Sequence, residues 1–161
     1  MSVNRRLALV IVSSIGLGCR ATLDLARAES PSDFDPVATA KLRAGEIVRE
    51  IVGSGRDASR PEPARDELFN TGLLLQAGLR ALLPVQERRG VALPGTPAPN
   101  DSKELILAQE NYKAVFESGM EATVAQRATA IASIELATQQ LQRAGYTVLA
   151  EKVIDWLRAQ R

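Results

Sequence analysis

Three pairs of acidic side chains stand four residues apart on predicted helices, where two carboxylates could share a proton or bind a hard cation. The pairs are Glu46/Glu50, Glu117/Glu121 and Glu151/Asp155. Solvent-facing helix surfaces produce such pairs routinely. Lys113, four residues before Glu117, and Lys152, beside Glu151, favour surface ion pairs instead. We therefore expect no metal site at these positions.

Histidine is absent from all 161 residues, and its absence excludes several classes of chemistry. Ser-His-Asp and Cys-His catalysis, His-ligated zinc and 2-His-carboxylate iron all require it. The sequence also lacks a Walker A loop, a dinucleotide-binding glycine pattern, a G-x-S-x-G elbow and a C-x-x-C pair. We expect a protein that is not an enzyme and that has no cofactor. A small enzyme that uses carboxylates alone is the third hypothesis.

Residues 1–18 have the composition of a secretory signal peptide. Met1 to Arg6 contains two arginines and no acid, and residues 7–18 form an apolar run interrupted by Ser13 and Ser14. A basic start followed by an apolar run of this length is typical of an export signal. As a helix, the run would extend only about 18 Å, which is short for a lasting anchor across a hydrocarbon core of ~30 Å.

Cys19, the only cysteine, follows this run directly. The arrangement resembles the lipobox of bacterial lipoproteins, in which a cysteine thiol is diacylated and becomes the new N-terminus. Gly18 fits the small residue that the lipobox requires before the cysteine. The resemblance implies lipidation of Cys19, removal of residues 1–18 and a tether formed by residues 19–34. It also implies the outer membrane, because Arg20 stands where an aspartate retains lipoproteins in the inner membrane of enteric bacteria.

Two other fates of the N-terminal segment remain open. Ala26-Arg27-Ala28 forms an A-x-A site, so ordinary cleavage before Glu29 would give a secreted protein without a lipid. Alternatively, the segment is retained as a short membrane helix or core helix.

The remainder of the chain, residues 35–161, predicts a single all-α domain, because apolar residues recur at intervals of three and four. About four helices are expected, at residues 36–52, 64–83, 102–144 and 147–160. Asp35-Pro36 marks the start of the first helix as an N-cap followed by proline. Gly119 is the expected kink or break in the long third helix. Linkers rich in proline and glycine occupy residues 53–63 and 84–100.

The second predicted helix is apolar almost all round, so it must be buried against something. Between Leu68 and Leu83 the polar residues are Asn70, Thr71, Gln76 and Arg80. Burial in the core is the first explanation, and a groove on a partner or a membrane surface is the second. The residues that we expect to contact a partner, from this helix and the following linker, are Leu74, Leu75, Arg88, Arg89, Val91 and Leu93.

The balance of 20 basic and 19 acidic side chains is not typical of a nucleic-acid-binding protein. The sequence favours a non-enzymatic helical scaffold or interaction protein, a bacterial lipoprotein that is a subunit or assembly factor of an envelope complex. Its expected partners are another protein of that complex and the membrane, which it reaches through lipid on Cys19. The alternative is a phage or phage-like structural or lysis component that keeps its hydrophobic N-terminus.

Overall fold

A computed structural model describes residues 34–160, and this part of the chain is all-α, as predicted. Its helices are α1 (Pro36–Lys41), α2 (Ala44–Gly53), α3 (Arg65–Leu82), α4 (Lys103–Ser118), α5 (Val124–Arg143) and α6 (Thr147–Ala159), with a 3₁₀ turn at Val85–Glu87. Cys19, the signal-like segment before it and the tether up to residue 33 lie outside the described residues.

The first predicted helix begins where expected but is two helices instead of one. The Asp35 carboxylate accepts hydrogen bonds from the backbone N–H groups of Val37 (2.9 Å) and Ala38 (3.0 Å), which caps α1. Leu42 and Arg43 are extended, with ψ angles of 149° and 156°, and they separate α1 from α2. The apolar periodicity continues across this break, so the pattern could not reveal it.

Helix α3 is the central helix of the bundle, and its apolar surface is core. It packs against α1, α2, α4 and α5. The buried residues of α3 are Leu68, Thr71, Gly72, Leu74, Leu75, Gln76, Ala77, Gly78, Leu79 and Ala81. The first explanation for the apolar second helix, burial in the core, is confirmed.

The long predicted helix 102–144 breaks at Gly119, the position expected for a kink or break. Gly119 ends α4 with φ +65°, a left-handed conformation that favours glycine. Thr123 then starts α5 with a capping box, in which its hydroxyl and the Gln126 side chain each accept a backbone N–H of the other residue. The break lets α5 fold back beside α4, where the Asn111 amide donates to the Gln126 carbonyl oxygen at 2.9 Å.

Pairs of contacts establish the helix directions and explain the length of the linker between α3 and α4. The Thr71 hydroxyl lies 2.8 Å from Gln140 Oε1, and Gly78 packs against Ala130, so α3 and α5 are antiparallel. Since α4 and α5 are also antiparallel, α3 and α4 run in the same direction. The first residue of α4 therefore lies at the end of the bundle where α3 begins. After α3 ends, the chain must travel back about 24 Å, the length of α4, to reach that point. Residues 83–102 make this return, and we call them the connector.

The hairpin of α5 and α6 turns at Gly145 and holds the loop that follows α2. Gly145 has φ +91°, and a Cβ atom there would lie 2.9 Å from the Asp57 carbonyl oxygen. The Asp57 N–H donates to the Gly145 carbonyl oxygen at 2.9 Å. At the other end of α6, the Trp156 ring packs edge-on against Phe34 with 6.0 Å between ring centroids. Among the helices of residues 34–160, none combines the length and apolar composition needed to cross a bilayer.

Candidate functional site

A groove of about 470 Å³ lies between the connector and the junction of α1 and α2. Its lining consists of residues 41–44, Leu73 and Arg80 of α3, residues 90–95 of the connector, and Gln109 and Tyr112 of α4. We call this cavity the connector groove. Pockets of this size bind small molecules or a few residues of a peptide.

The wall formed by the α1–α2 junction is held in place by two side chains of α3. The Arg80 guanidinium donates from Nε to the Ala40 carbonyl oxygen (2.8 Å) and from Nη2 to the Leu42 carbonyl oxygen (3.0 Å). The amide of Gln76 donates to the carbonyl oxygens of Leu42 (2.8 Å) and Thr39 (3.2 Å). These are carbonyls that a continuous helix would pair internally. Arg80 and Gln76 therefore explain how the chain tolerates the break at 42–43.

Tyr112 joins the connector to the helices at the floor of the groove. Its hydroxyl donates to the Ala92 carbonyl oxygen (3.3 Å), and Arg80 Nη1 lies 3.5 Å from the same hydroxyl. The Arg80 guanidinium carbon is 5.6 Å from the centroid of the Tyr112 ring, and the Phe116 ring packs edge-on against that ring. Burial raises the pKa of the Tyr112 phenol, and the Arg80 charge partly opposes this effect.

Replacing Tyr112 with phenylalanine is expected to loosen the connector while keeping the ring in the core. Because both hydrogen bonds are long, the cost at neutral pH is about 0.5–1 kcal/mol. The raised pKa means that the unfolded phenol loses its proton first, so the wild type should lose stability as pH rises above about 10. The variant should lack this part of the alkaline loss. Urea denaturation at pH 7 and across the alkaline range measures both effects, and identical curves for the two proteins would contradict the assignment.

Arg88, predicted to contact a partner, instead fixes the connector to the end of α4. Its side chain is 9% exposed and donates to the carbonyl oxygens of Leu83 (3.2 Å) and Val115 (3.1 Å). It lies 3.8 Å from a carboxylate oxygen of Glu121 and stacks over Phe116. These contacts leave little of the Arg88 guanidinium exposed, so its predicted contact with a partner stays a prediction that this arrangement does not favour.

Leu74 and Leu75, which were also predicted to contact a partner, are core residues of this chain. They are 2% and 0% exposed, since α3 is covered by other helices of the same chain. Arg89 is exposed but does not line the connector groove. Val91 and Leu93 do line it, and Leu93 is 46% exposed. The six predicted contact residues are thus not brought together, but two of them lie side by side in one cavity.

The groove combines apolar walls with positive charge. Lys41, Arg43 and Arg80 are among its lining residues, and none of the lining residues is acidic. Glu87 pairs with Lys41 at 2.9 Å, whereas the exposed Arg43 guanidinium has no hydrogen bond or ion pair within residues 34–160. The arrangement suits a ligand that has both an apolar part and a negative charge.

Two of the three predicted acidic pairs contain carboxylates that take part in ion pairs within the chain. Glu121 binds the Val85 N–H at 3.0 Å and faces Arg88, while Glu117 lies 3.9 Å from Lys113. Asp155 pairs with Arg158 at 3.1 Å. Residues 34–160 hold no cluster of three or more acidic or cysteine side chains placed to bind a metal.

The spacing of two polar residues in α3 is a sequence feature that indicates part of this site. Gln76 and Arg80 are the two polar residues between Leu73 and Leu83, and they stand four residues apart, so they share a face of the helix. Buried polar side chains need partners, and these two could have predicted a break in a neighbouring helix. Tyr112 and Arg43 gave no comparable signal, because their roles depend on the path of the connector.

No protein-family model, no curated protein and no solved structure matches this chain.

Proposed function

We propose that the protein is a non-enzymatic interaction protein of the bacterial cell envelope, anchored by lipid on Cys19 and acting as a subunit or assembly factor of a larger complex. The observation that carries the interaction role is the connector groove, where apolar side chains and Arg43, which has no ion pair within the described residues, surround one cavity. The sequence of residues 1–19 carries the envelope location, with Arg20 favouring the outer membrane.

The way the connector is anchored supports binding as its role. Arg88, Tyr112 and Glu121 hold the connector through hydrogen bonds, so it does not need Leu93 for its position. Leu93 nevertheless remains 46% exposed beside the cavity. A linker that served only to connect α3 and α4 could be polar here. An ordered segment that presents an apolar side chain beside a groove is suited to a partner.

The separation between Cys19 and the helical bundle is consistent with a tethered binding domain. Fourteen residues, 20–33, lie between Cys19 and Phe34. Fully extended, they would span at most roughly 50 Å. A lipid on Cys19 would therefore keep the bundle close to the membrane while leaving it free to meet a partner.

Lipidation is tested by the Cys19→Ser substitution in a bacterial host given radiolabelled palmitate. The wild type should take up the label and fractionate with membranes, whereas Cys19→Ser should take up none, because the chain has no other thiol. Ser14→Ala, within the apolar run, is the matched control and should be labelled like the wild type. An unlabelled wild-type protein in the cytosolic fraction would contradict the proposal.

A further inference from the structure

We infer that the connector groove binds a short, extended segment of a partner protein in which apolar residues alternate with acidic residues. This inference rests on the proposed interaction function and specifies the chemistry of its partner. The arguments are the charge of the groove, its size and the backbone groups along its connector wall.

Charge complementarity points to an acidic ligand. The lining includes three cationic side chains and no carboxylate, although the described domain has acidic residues on every helix except α1. The Arg43 guanidinium is exposed at this cavity and has no hydrogen bond or ion pair to any residue between Phe34 and Gln160. An acidic residue of a bound segment would give Arg43 an ion pair that the described part of the chain does not supply.

The size of the cavity and its connector wall favour an extended peptide over a helix. An α-helix with its side chains is about 10–12 Å across, which is wide for a cavity of about 470 Å³. Within residues 34–160, the backbone N–H groups of Leu93 and Gly95 have no hydrogen-bond partner. An extended segment could pair with such groups through its own carbonyls, while alternate side chains contact the two walls.

The apolar positions of the segment have a place to pack. Leu73, Val91 and Leu93 line the cavity, and Leu93 is its most prominent exposed apolar side chain. An apolar residue of the bound segment would cover this surface, which favours binding by removing it from water. The following acidic residue would then be directed toward Arg43, since Lys41 already pairs with Glu87.

The test uses a fluorescein-labelled peptide in which three leucines alternate with three glutamates, titrated with the purified chain and followed by fluorescence anisotropy. The peptide should bind, and its affinity should fall as salt rises from about 0.05 to about 0.5 M. Peptides with glutamine or lysine in place of glutamate should bind at least several-fold more weakly.

Two matched pairs of variants locate the binding site. Arg43→Ala should weaken binding about fivefold, a typical loss for one charge pair at a partly exposed interface, whereas Arg49→Ala, an exposed arginine outside the groove, should not. Leu93→Asp should abolish binding, whereas Leu107→Asp, at a leucine that is 58% exposed outside the groove, should not. All four side chains are exposed, so far-UV circular dichroism should show unchanged helix content.

Three outcomes would overturn the inference. One is no binding of the glutamate peptide, and another is equal losses from Arg43→Ala and Arg49→Ala. The third is evidence for a different occupant of the groove. Such evidence would be binding of dodecanoate at the groove in the absence of peptide binding, or a dimer of this chain that Leu93→Asp disrupts. If the peptide fails but Cys19 is lipidated in the envelope, the inference about the groove is wrong and the proposed location stands. If the peptide binds but Cys19 is never lipidated, the location is wrong and the groove assignment stands.

Discussion

The Gly78→Ala variant should unfold at a markedly lower urea concentration than the wild type, because α3 crosses α5 at this glycine. A Cβ atom on residue 78 would lie 2.6 Å from Ile134 Cγ1 and 2.8 Å from the Ala130 carbonyl oxygen. Both contacts are far inside normal van der Waals distance, and one of them is to helix backbone that cannot move by a side-chain rotation. The two helices would have to separate along a core in which Ile134 is fully buried.

The expected loss is about 3 kcal/mol of unfolding free energy, at the upper end of the cost of overpacking a core. Alanine is the better helix former by about 1 kcal/mol, and this gain opposes the clash without outweighing it. Urea denaturation monitored by circular dichroism measures the difference.

Gly45→Ala, in α2, is the matched control for this prediction. Nothing lies within 4 Å of a Cβ atom at that position. The variant should therefore be as stable as the wild type or more stable by up to about 1 kcal/mol. If Gly78→Ala behaved like Gly45→Ala, α3 and α5 would not cross as closely as the structure shows.

The Arg80→Met variant should lose about 2–3 kcal/mol of unfolding free energy. The reason is that the guanidinium donates hydrogen bonds to carbonyl groups that have no helical donor at the break between α1 and α2. Ala40 is fully buried, and Arg80 Nε is the hydrogen-bond donor to its carbonyl oxygen within residues 34–160. Methionine preserves much of the aliphatic volume, so the measured loss reports mainly the Ala40 carbonyl, because Gln76 still donates to the Leu42 carbonyl oxygen. Arg80→Lys should lose a similar amount, since one ammonium cannot reproduce the forked geometry.

Two further variants complete this experiment. Arg89→Met replaces an exposed arginine nine positions away and should change stability by less than about 0.5 kcal/mol. Gln76→Leu combined with Arg80→Met should deviate from additivity, because both side chains donate to the Leu42 carbonyl oxygen. Additive effects, or an Arg80→Met variant as stable as the wild type, would show that these side chains do not hold the α1–α2 junction.

Much of the fold could be predicted from the sequence where one residue type determines the local backbone. Asp35-Pro36 could begin a helix, and Gly119 and Gly145 could end one, because these roles need no information from distant residues. The apolar surface of α3 likewise required burial whatever its neighbours were. These features give the all-α class and most helix bounds.

The features that depend on tertiary contacts could not be predicted in the same way. The break at 42–43 is stabilised by Gln76 and Arg80, which lie more than thirty residues later in the chain. The parallel arrangement of α3 and α4 makes the connector a return path, and nothing in its composition indicates that direction. The sequence around Arg88 is typical of a solvated linker, but its side chain packs against Val115 and Phe116 of α4.

The candidate site could be predicted from the sequence only in part, because it also depends on tertiary contacts. Val91 and Leu93 stood out as apolar residues in a polar linker, and they do line the groove. Arg43 and Tyr112, which provide its charge and its floor, are ordinary helix or junction residues until the connector is placed beside them. Leu74 and Leu75 are apolar, as any core residue can be, so their type alone does not distinguish a partner contact from the core.

The intact mass of the protein purified from bacterial membranes tests the envelope assignment most directly. The account predicts a chain that begins at Cys19 and carries a diacylglyceryl group on its sulfur. A mass equal to that of the unmodified chain with Met1 retained would contradict it.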